Sequence, residues 1–183
     1  MKALVAYGTK YGSTSKVAKE IAFVLGTKGF ETTVLDLKKG DGHGIDGFDL
    51  VVIGSSIVMS SWSKEALEFL EHNKATLLNK RVAMFVCSGN IYTNPEKTDE
   101  YRRLYLEDVA TRFGIESPYA KGLFGGEIDF SKYRFLTKAL VNSVWKDTKK
   151  GLQEKGVDFS KPFDFRDWDA IRNWAGSLAC GVD

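Results

Sequence analysis

The residues with the clearest chemical potential lie within the first fourteen positions of the chain. An apolar run, residues 3–7, is followed at once by a segment rich in glycine and hydroxyl side chains. Glycines allow a tight turn close to a ligand, and the free N–H groups at a helix start attract anions. The segment therefore predicts a phosphate-binding loop between a buried strand and a helix. The candidate contacts are Thr9, Lys10, Tyr11, Gly12, Ser13 and Thr14.

Two common nucleotide-binding patterns do not fit this loop. The Walker loop requires Gly-Lys followed by Ser or Thr, whereas Gly12 is followed directly by Ser13. The dinucleotide fingerprint requires Gly-x-Gly-x-x-Gly, whereas Gly8 and Gly12 enclose three other residues. A nucleoside triphosphatase and a dinucleotide-binding domain are both disfavoured. A turn that only caps the helix remains open as the alternative to a phosphate site.

The composition limits the class of protein. A chain of 183 residues fits one α/β domain, 1–183, and its net charge of +2 gives no indication of a nucleic-acid partner. Cys87 and Cys180 have no zinc or redox spacing, so we expect free thiols in a reducing compartment. The sequence shows no signal peptide and no apolar run of membrane-spanning length. A cytoplasmic location is expected.

Short apolar runs alternate with segments of helical spacing along the chain. Continuous apolar runs are typical of buried parallel strands, and apolar residues three and four apart are typical of helices packed on a sheet. The alternation predicts an α/β fold with a doubly wound parallel sheet of five strands. The predicted strands are 3–7, 30–37, 50–53, 82–87 and 119–124, and the predicted helices are 13–28, 63–73, 98–113 and 167–178.

Local signals place the ends of several helices. Gly29 and Gly114 stand where C-terminal caps belong, and Thr98 or Asp99 can cap the third predicted helix. The glycine-rich segment 40–47 indicates that any helix after the second strand is short or absent.

Three loops converge where such a sheet binds ligands, beyond the carboxyl ends of its strands. They follow the first, third and fourth strands and are rich in hydroxyl and amide side chains. A phosphate at the first loop and a flat ring between the others is the geometry of a bound flavin mononucleotide, FMN. We expect Trp62 and Tyr92 to contact the ring; for both, ordinary loop packing is the alternative. The candidates beyond the first loop are Ser55, Ser56, Ile57, Met59, Trp62, Ser88, Gly89, Asn90, Tyr92 and Gly125.

The three loops contain no histidine, so a hydrolytic triad is disfavoured there. His43 lies in the glycine-rich segment and His72 near a helix end. Cys87 lacks the arginine six residues later that a cysteine phosphatase requires, because Thr93 stands there. A bound flavin needs no side-chain acid or base to supply redox chemistry, so these loops suit a flavoprotein.

The Thr-x-x-Gly-x-Thr pattern of residues 9–14 resembles the phosphate loop of flavodoxins. Nearly the whole chain resembles the flavodoxin-like menaquinone-dependent protoporphyrinogen IX dehydrogenases. This resemblance implies strand order 2-1-3-4-5 in three layers, FMN as cofactor, phosphate contacts in the first loop and ring contacts in the other two. The residues that carry it are 52–57, Asn94-Pro95-Glu96-Lys97, Gly125-Gly126, Tyr133-Arg134 and Asp167-Trp168.

A helical insertion of about 127–166 precedes the last helix and departs from a minimal flavodoxin. Its apolar positions Tyr133, Leu136, Leu140 and Val144 follow helical spacing among several lysines. Such a basic amphipathic helix can lie on a membrane surface, which would make the protein peripheral there, or dock to a partner. Alternatively its apolar stripe covers the domain's own sheet or a second copy, which would form a homodimer.

Two functions remain open on the sequence. The first is an FMN-dependent oxidoreductase that oxidises a porphyrinogen-like substrate and passes electrons to a quinone. The second is an electron-carrier flavodoxin that serves redox partner proteins and has no organic substrate of its own. Carriers tend to be strongly acidic, which steers them to basic partners, so a net charge of +2 favours the enzyme.

Overall fold

The computed structural model of the protein describes residues 1–40, 44–115, 118–128, 158 and 161–180. The basic helix predicted over Tyr133 to Val144 lies outside these residues, and so does His43.

A five-stranded parallel sheet forms the centre of the structure, in the order β2-β1-β3-β4-β5. The predicted strand order is confirmed. Each predicted strand overlaps an observed strand. The third observed strand extends three residues beyond the predicted end and includes Ser55 and Ser56. The strands are β1 Lys2–Gly8, β2 Glu31–Asp36, β3 Leu50–Ser56, β4 Arg81–Cys87 and β5 Ala120–Phe124.

Burial explains which strands are central. All seven residues of β3 are buried, as are six of the seven in β1 and in β4. In β2, which is an edge strand, Val34 is 39% exposed. The continuous apolar runs therefore occupy the middle of the sheet and the partly alternating run its edge.

Helices cover both faces of the sheet. Gly29, with φ 91°, follows α1 as predicted, and in the described parts of the segment after β2, residues 37–40 and 44–49, the helical structure is a single 3₁₀ turn. The helices are α1 Ser13–Thr27, α2 Lys64–His72, α3 Lys74–Leu77, α4 Asn90–Thr93, α5 Thr98–Arg102, α6 Asp108–Arg112 and α7 Trp168–Ser177; 3₁₀ turns span Ile45–Gly47 and Pro95–Lys97, and a π-helical turn spans Arg103–Glu107.

The core has two parts, one on each face of the sheet. Ile21 of α1 and Ile171 of α7 belong to one cluster. Phe69 of α2 and Tyr105 of the π-helical turn belong to the other. The arrangement is a three-layer α/β sandwich, as predicted. Among the residues that the structure describes, no helix combines the length and apolar character needed to cross a membrane.

Two local features differ from the sequence prediction. Thr98 is not a helix cap: its hydroxyl donates to the carbonyl of Pro95, because the 3₁₀ turn at Pro95 runs directly into α5. Short strands β6 Glu127–Ile128 and β7 Phe163–Asp164 pair antiparallel at the two ends of the predicted insertion. This pairing joins residues 35 and 37 positions apart, so no local sequence pattern indicated it.

Candidate functional site

Three loops lie at the carboxyl edge of the sheet, and main-chain hydrogen bonds tie them together. We call residues 8–14 the phosphate loop, 55–62 the second loop and 88–94 the third loop. The N–H of Lys10 donates to Ser56 Oγ at 3.3 Å. The N–H of Ile57 donates to the carbonyl of Cys87 at 2.9 Å. The predicted convergence of the three loops is therefore present in the structure.

The phosphate loop turns tightly through its second glycine. Gly12 has φ 95°, a left-handed conformation that favours glycine, and its N–H donates to Thr9 Oγ1 at 3.0 Å. A Cβ built on Gly12 would meet no atom within 4 Å, so the position faces open space. The loop thus enters α1 with room above the helix start.

Thr14 provides the test of whether an anion fits here. It is completely buried in the first turn of α1, and its Oγ1 has no nitrogen or oxygen partner among the described residues; the Cys87 thiol beside it is only a weak partner. The N–H groups of a first helical turn also lack helical partners, and this turn of α1 holds no acidic side chain. An orphaned hydroxyl beside free amides fits a phosphate oxygen, because buried polar groups are normally satisfied.

Cys87 lies against this site without a role in it. Burial raises the pKa of its thiol to about 12, and the Thr14 hydroxyl and the charge of Arg166 lower it only in part. A thiol protonated over the physiological range behaves as a small apolar group. Cys87 therefore belongs to the core of the sheet, as a small buried residue.

The other phosphate-loop candidates are less buried. Lys10 is exposed, with its ammonium 5.7 Å from the centre of the Tyr11 ring. Tyr11 and Ser13 are half-buried, and Thr9 is buried. These residues form the segment that leads into the helix turn of Thr14.

The second loop begins with hydroxyls that organise its neighbours. Ser55 Oγ accepts from the N–H of Ser63, which in turn caps α2. Between Val58 and Ser61 the chain reverses in a two-residue turn. Met59 stands at its tip with positive φ and is 86% exposed. An exposed apolar side chain beside the phosphate loop is available to a ligand.

Trp62 lies deeper than the rest of the second loop. Only 5% of it is exposed, and its indole Nε1 donates to the carbonyl of Tyr105 at 2.6 Å. Trp62 is thus largely buried beneath the second loop, unlike the exposed Met59, although it contributes to the wall of the cavity described below.

The third loop is held by its own hydroxyl and by a tyrosine. Ser88 is buried, and its Oγ accepts from the N–H of Asn90 at 3.2 Å. The amide Nδ2 of Asn90 donates to the hydroxyl of Tyr105 at 2.9 Å. Gly89 has φ −68°, which any residue can adopt. Tyr105 therefore contacts both loops that were predicted to flank the ring.

Tyr92 packs against the segment that precedes the last helix. Its ring centre lies 5.4 Å from that of Phe163 and 5.3 Å from that of Phe165. Gly125 permits this approach, because a Cβ there would lie 2.2 Å from the carbonyl oxygen of Phe165. The absence of a side chain at Gly125 thus lets the segment that carries Phe163 and Phe165 lie against the third loop.

A cavity of about 350 Å³ opens between the phosphate loop and the second loop. Hydroxyls and lysines line its walls, with Met59 at its rim. The lining residues are Thr9, Lys10, Lys38, Ser56, Val58, Met59, Ser61, Trp62, Ser63, Lys64 and Glu65.

Sequence reasoning missed a buried charged cluster beside the phosphate loop. Arg166 is 8% exposed, pairs with Asp164 and Glu127, and donates to the carbonyl of Ser13. Arg166 and Ser13 are 153 residues apart, so no local pattern could have joined them. Apart from Lys10, the phosphate-loop candidates are uncharged, but a charged network lies next to them.

Comparisons with known proteins agree with this fold. A curated relative from Escherichia coli (strain K12), named protoporphyrinogen IX dehydrogenase (quinone), is 25% identical and aligns with 98% of this chain and 95% of its own. One of the same name from Leishmania major is 26% identical over 97% of this chain and 74% of its own. The solved structure of the Streptococcus pneumonia TIGR4 flavodoxin is similar in fold, with TM-score 0.57, 14% identity and 100% coverage of both chains.

A family model described as Flavodoxin domain matches residues 4–154, which is most of the chain. The model indicates a flavin cofactor, and the phosphate loop offers groups that fit one. The fold is flavodoxin-like, and the chain belongs to the flavodoxin domain family.

Proposed function

We propose that the protein is an FMN-dependent oxidoreductase that oxidises a porphyrinogen-like substrate and passes the electrons to a quinone. Two relatives that carry the name protoporphyrinogen IX dehydrogenase (quinone) support the substrate and acceptor classes. Their similarity extends over 97–98% of this chain, so it includes the sequence of the insertion.

The observation that carries the cofactor is the orphaned hydroxyl of Thr14. Together with the first N–H groups of α1 and the Thr9 side chain, it forms a donor set for a phosphate monoester. FMN ends in a phosphate monoester. An adenine dinucleotide would bring a pyrophosphate, for which the sequence lacks the usual glycine pattern.

Within this proposal the three loops bind and orient the cofactor. Thr9, Ser13 and Thr14 would hold the phosphate, and the second and third loops would flank the ring. FMN supplies the redox chemistry by accepting and releasing reducing equivalents. The protein would position FMN through two contacts between its loops and their supports. The N–H of Lys10 donates to Ser56, which links the first two loops, and Asn90 donates to Tyr105, which holds the third loop.

The loops offer no strong acid or base of their own. Residues 8–14, 55–62 and 88–94 include neither aspartate, glutamate nor histidine. This composition supports chemistry carried by a cofactor rather than by side-chain proton transfer. Lys10 is the one charged residue of the three loops, and Lys38, Lys64 and Glu65 line the adjoining cavity from outside them.

Cofactor binding is tested by titration. The purified protein should carry a flavin absorption band through gel filtration, and the apoprotein should bind FMN more tightly than riboflavin. Equal affinity for the two flavins would contradict the phosphate assignment. No flavin binding at all would overturn the proposed function.

The acceptor and substrate are tested on the loaded protein. After anaerobic photoreduction, addition of a quinone should reoxidise the flavin in a rapid phase that saturates with quinone. With a porphyrinogen as donor, porphyrin fluorescence should appear only when quinone is present. Rapid reoxidation by a redox partner protein, with no response to quinone or porphyrinogen, would instead support the electron-carrier alternative.

A further inference from the structure

Arg166 is a buried cation with an unusually complete set of partners. Only 2% of its side chain is exposed. Its Nε and Nη2 donate to the two carboxylate oxygens of Asp164 at 2.7 and 2.6 Å, and Nη2 also donates to Glu127 Oε2 at 2.8 Å. Burial alone lowers the pKa of the guanidinium, but these two carboxylates outweigh burial and raise it. Arg166 is therefore charged throughout the physiological range.

Two bonds connect this cluster to the first turn of α1. Arg166 Nη1 donates to the carbonyl of Ser13 at 3.3 Å. Glu127 Oε2, which already binds Arg166, also accepts from Lys16 Nζ at 2.6 Å. Ser13 and Lys16 lie on either side of Thr14, the residue whose hydroxyl has no partner. The cluster thus holds the helix turn that faces the proposed phosphate.

The other side of the cluster is fixed as well. The N–H of Phe165 donates to the carbonyl of Gly126 at 3.1 Å. The guanidinium carbon of Arg166 lies 4.6 Å from the ring centre of Trp168, at the start of α7. The β6–β7 pair, anchored in this way, can hold α1 in a fixed position.

The cluster adds little net charge to the site. Arg166 and Lys16 contribute two positive charges, and Asp164 and Glu127 two negative charges. Their fields largely cancel at a distance, so the cluster cannot attract an anion by charge alone. Within the cluster Arg166 and Glu127 are buried, and a buried ion pair makes only a small net contribution to stability, because desolvation offsets the attraction between its members. Its specific effect is to fix geometry.

We infer that Arg166 is a positioning residue for the cofactor phosphate, because it holds the first turn of α1 in the one geometry that binds that group. The inference rests on the proposed FMN function. It assigns no contact between Arg166 and the flavin.

The test compares FMN with riboflavin, which has the same ring and no phosphate. Arg166→Met should weaken FMN binding by about tenfold or more, equivalent to about 1.4 kcal/mol, with little change for riboflavin. Arg166→Lys should not restore FMN affinity, because an ammonium cannot reproduce the two-pronged guanidinium contact. Since geometry rather than charge is lost, the ratio of wild-type to variant affinity should vary little with ionic strength.

Arg172 provides a matched control. It also links α7 to α1, through Glu20 at 2.6 Å, and it also contacts an aspartate, Asp169 at 2.9 Å. Its side chain is 49% exposed and it contacts the second turn of α1 rather than the first. Arg172→Met should leave the affinity for both flavins unchanged.

Several results would overturn the inference. They are FMN affinity of Arg166→Met within twofold of wild type, an equal loss for both flavins, or the same FMN loss in Arg172→Met. If Arg166→Met does not fold, as judged by circular dichroism, Glu127→Gln replaces it, with the same expectations for the two flavins. If the wild-type protein binds neither flavin, the proposed function itself is wrong. The wild-type titration is done first, so this outcome is distinguished from a failure of the inference about Arg166.

Discussion

The indole of Trp62 donates its N–H to the main-chain carbonyl of Tyr105, across 43 residues of sequence. Tyr105 belongs to the π-helical turn Arg103–Glu107, where the regular hydrogen-bond ladder of a helix is interrupted. Its hydroxyl accepts from Asn90 at 2.9 Å. One residue thus fixes the second loop through its carbonyl and the third loop through its side chain.

Tyr105→Phe should separate these two contacts. The carbonyl bond to Trp62 remains, while Asn90 loses its acceptor, so the third loop should loosen. We expect a loss of about 1 kcal/mol in the free energy of unfolding, since a typical hydrogen bond contributes that much. FMN affinity, measured by fluorescence titration, should also fall.

Tyr101→Phe is the matched control for this change. Tyr101 stacks on Tyr105 with ring centres 5.6 Å apart, and its hydroxyl does not contact Asn90. Its replacement should leave FMN affinity unaltered. If both variants bind FMN as wild type does, Tyr105 does not position the third loop.

Thr14→Val should change stability and binding in opposite directions. The buried Thr14 hydroxyl has no partner, and an unsatisfied buried polar group costs about 1–3 kcal/mol. A methyl group removes that cost, so chemical denaturation of the apoprotein should show an increase in its unfolding free energy. FMN binding should weaken because a phosphate donor is lost.

Two control variants test this interpretation of Thr14→Val. Thr14→Ser keeps the hydroxyl and should retain most of the FMN affinity. Thr27→Val removes a hydroxyl at the other end of α1, one that donates to the carbonyl of Val24 at 2.7 Å, and it should not affect binding. A Thr14→Val protein that is both less stable and fully able to bind FMN would contradict the phosphate site.

The sequence predicted those parts of the fold that depend on local pattern. The apolar runs located all five strands of the main sheet, and the strand order with its loops at one edge followed from the resemblance and from topology. The pairing of β6 with β7 and the contact of Arg166 with Ser13 were not predicted. Both contacts join residues far apart in sequence, and the periodicity of apolar residues does not indicate such contacts.

Trp62 illustrates a second limit of prediction from the sequence. A tryptophan in a ligand-facing loop can stack on a ring or pack beneath the loop, and both positions give the same sequence pattern. Its burial depends on an acceptor supplied by the π-helical turn, which the sequence did not reveal. Contacts between the candidate residues and a flavin stay a prediction.

Gly125→Ala should destabilise the protein. Its Cβ would lie 2.2 Å from the carbonyl oxygen of Phe165, and this oxygen belongs to the backbone, so the segment before α7 must move. Overpacking of this kind costs about 1–3 kcal/mol. The measurement is the midpoint of denaturant unfolding.

Gly26→Ala is the control for Gly125→Ala. Gly26 lies in α1 and a Cβ there meets nothing within 4 Å, so alanine should stabilise by up to about 1 kcal/mol. If Gly125→Ala is as stable as wild type, the segment that carries Phe165 can move away from residue 125 without a loss in the free energy of unfolding.

Cys87 makes stability depend on pH above the neutral range. Burial raises the pKa of its thiol from an ordinary 9.0 to about 12 in the folded chain. Between these values the unfolded chain releases the proton and the folded chain retains it, so the free energy of unfolding must fall as pH rises. The slope for one group approaches about 1.4 kcal/mol per pH unit.

Cys87→Ala isolates this effect from other groups that titrate at high pH. The difference in unfolding free energy between wild type and variant should be constant below pH 9 and shrink toward pH 12, because only wild type loses this contribution. Thiol labelling gives an independent readout. At pH 8 the native protein should react quickly at the exposed Cys180 and slowly at the buried Cys87, whereas both should react in denaturant. Rapid native labelling of Cys87, or a constant difference up to pH 12, would mean that the thiol ionises in the folded state and that the core beneath the phosphate loop is open to water.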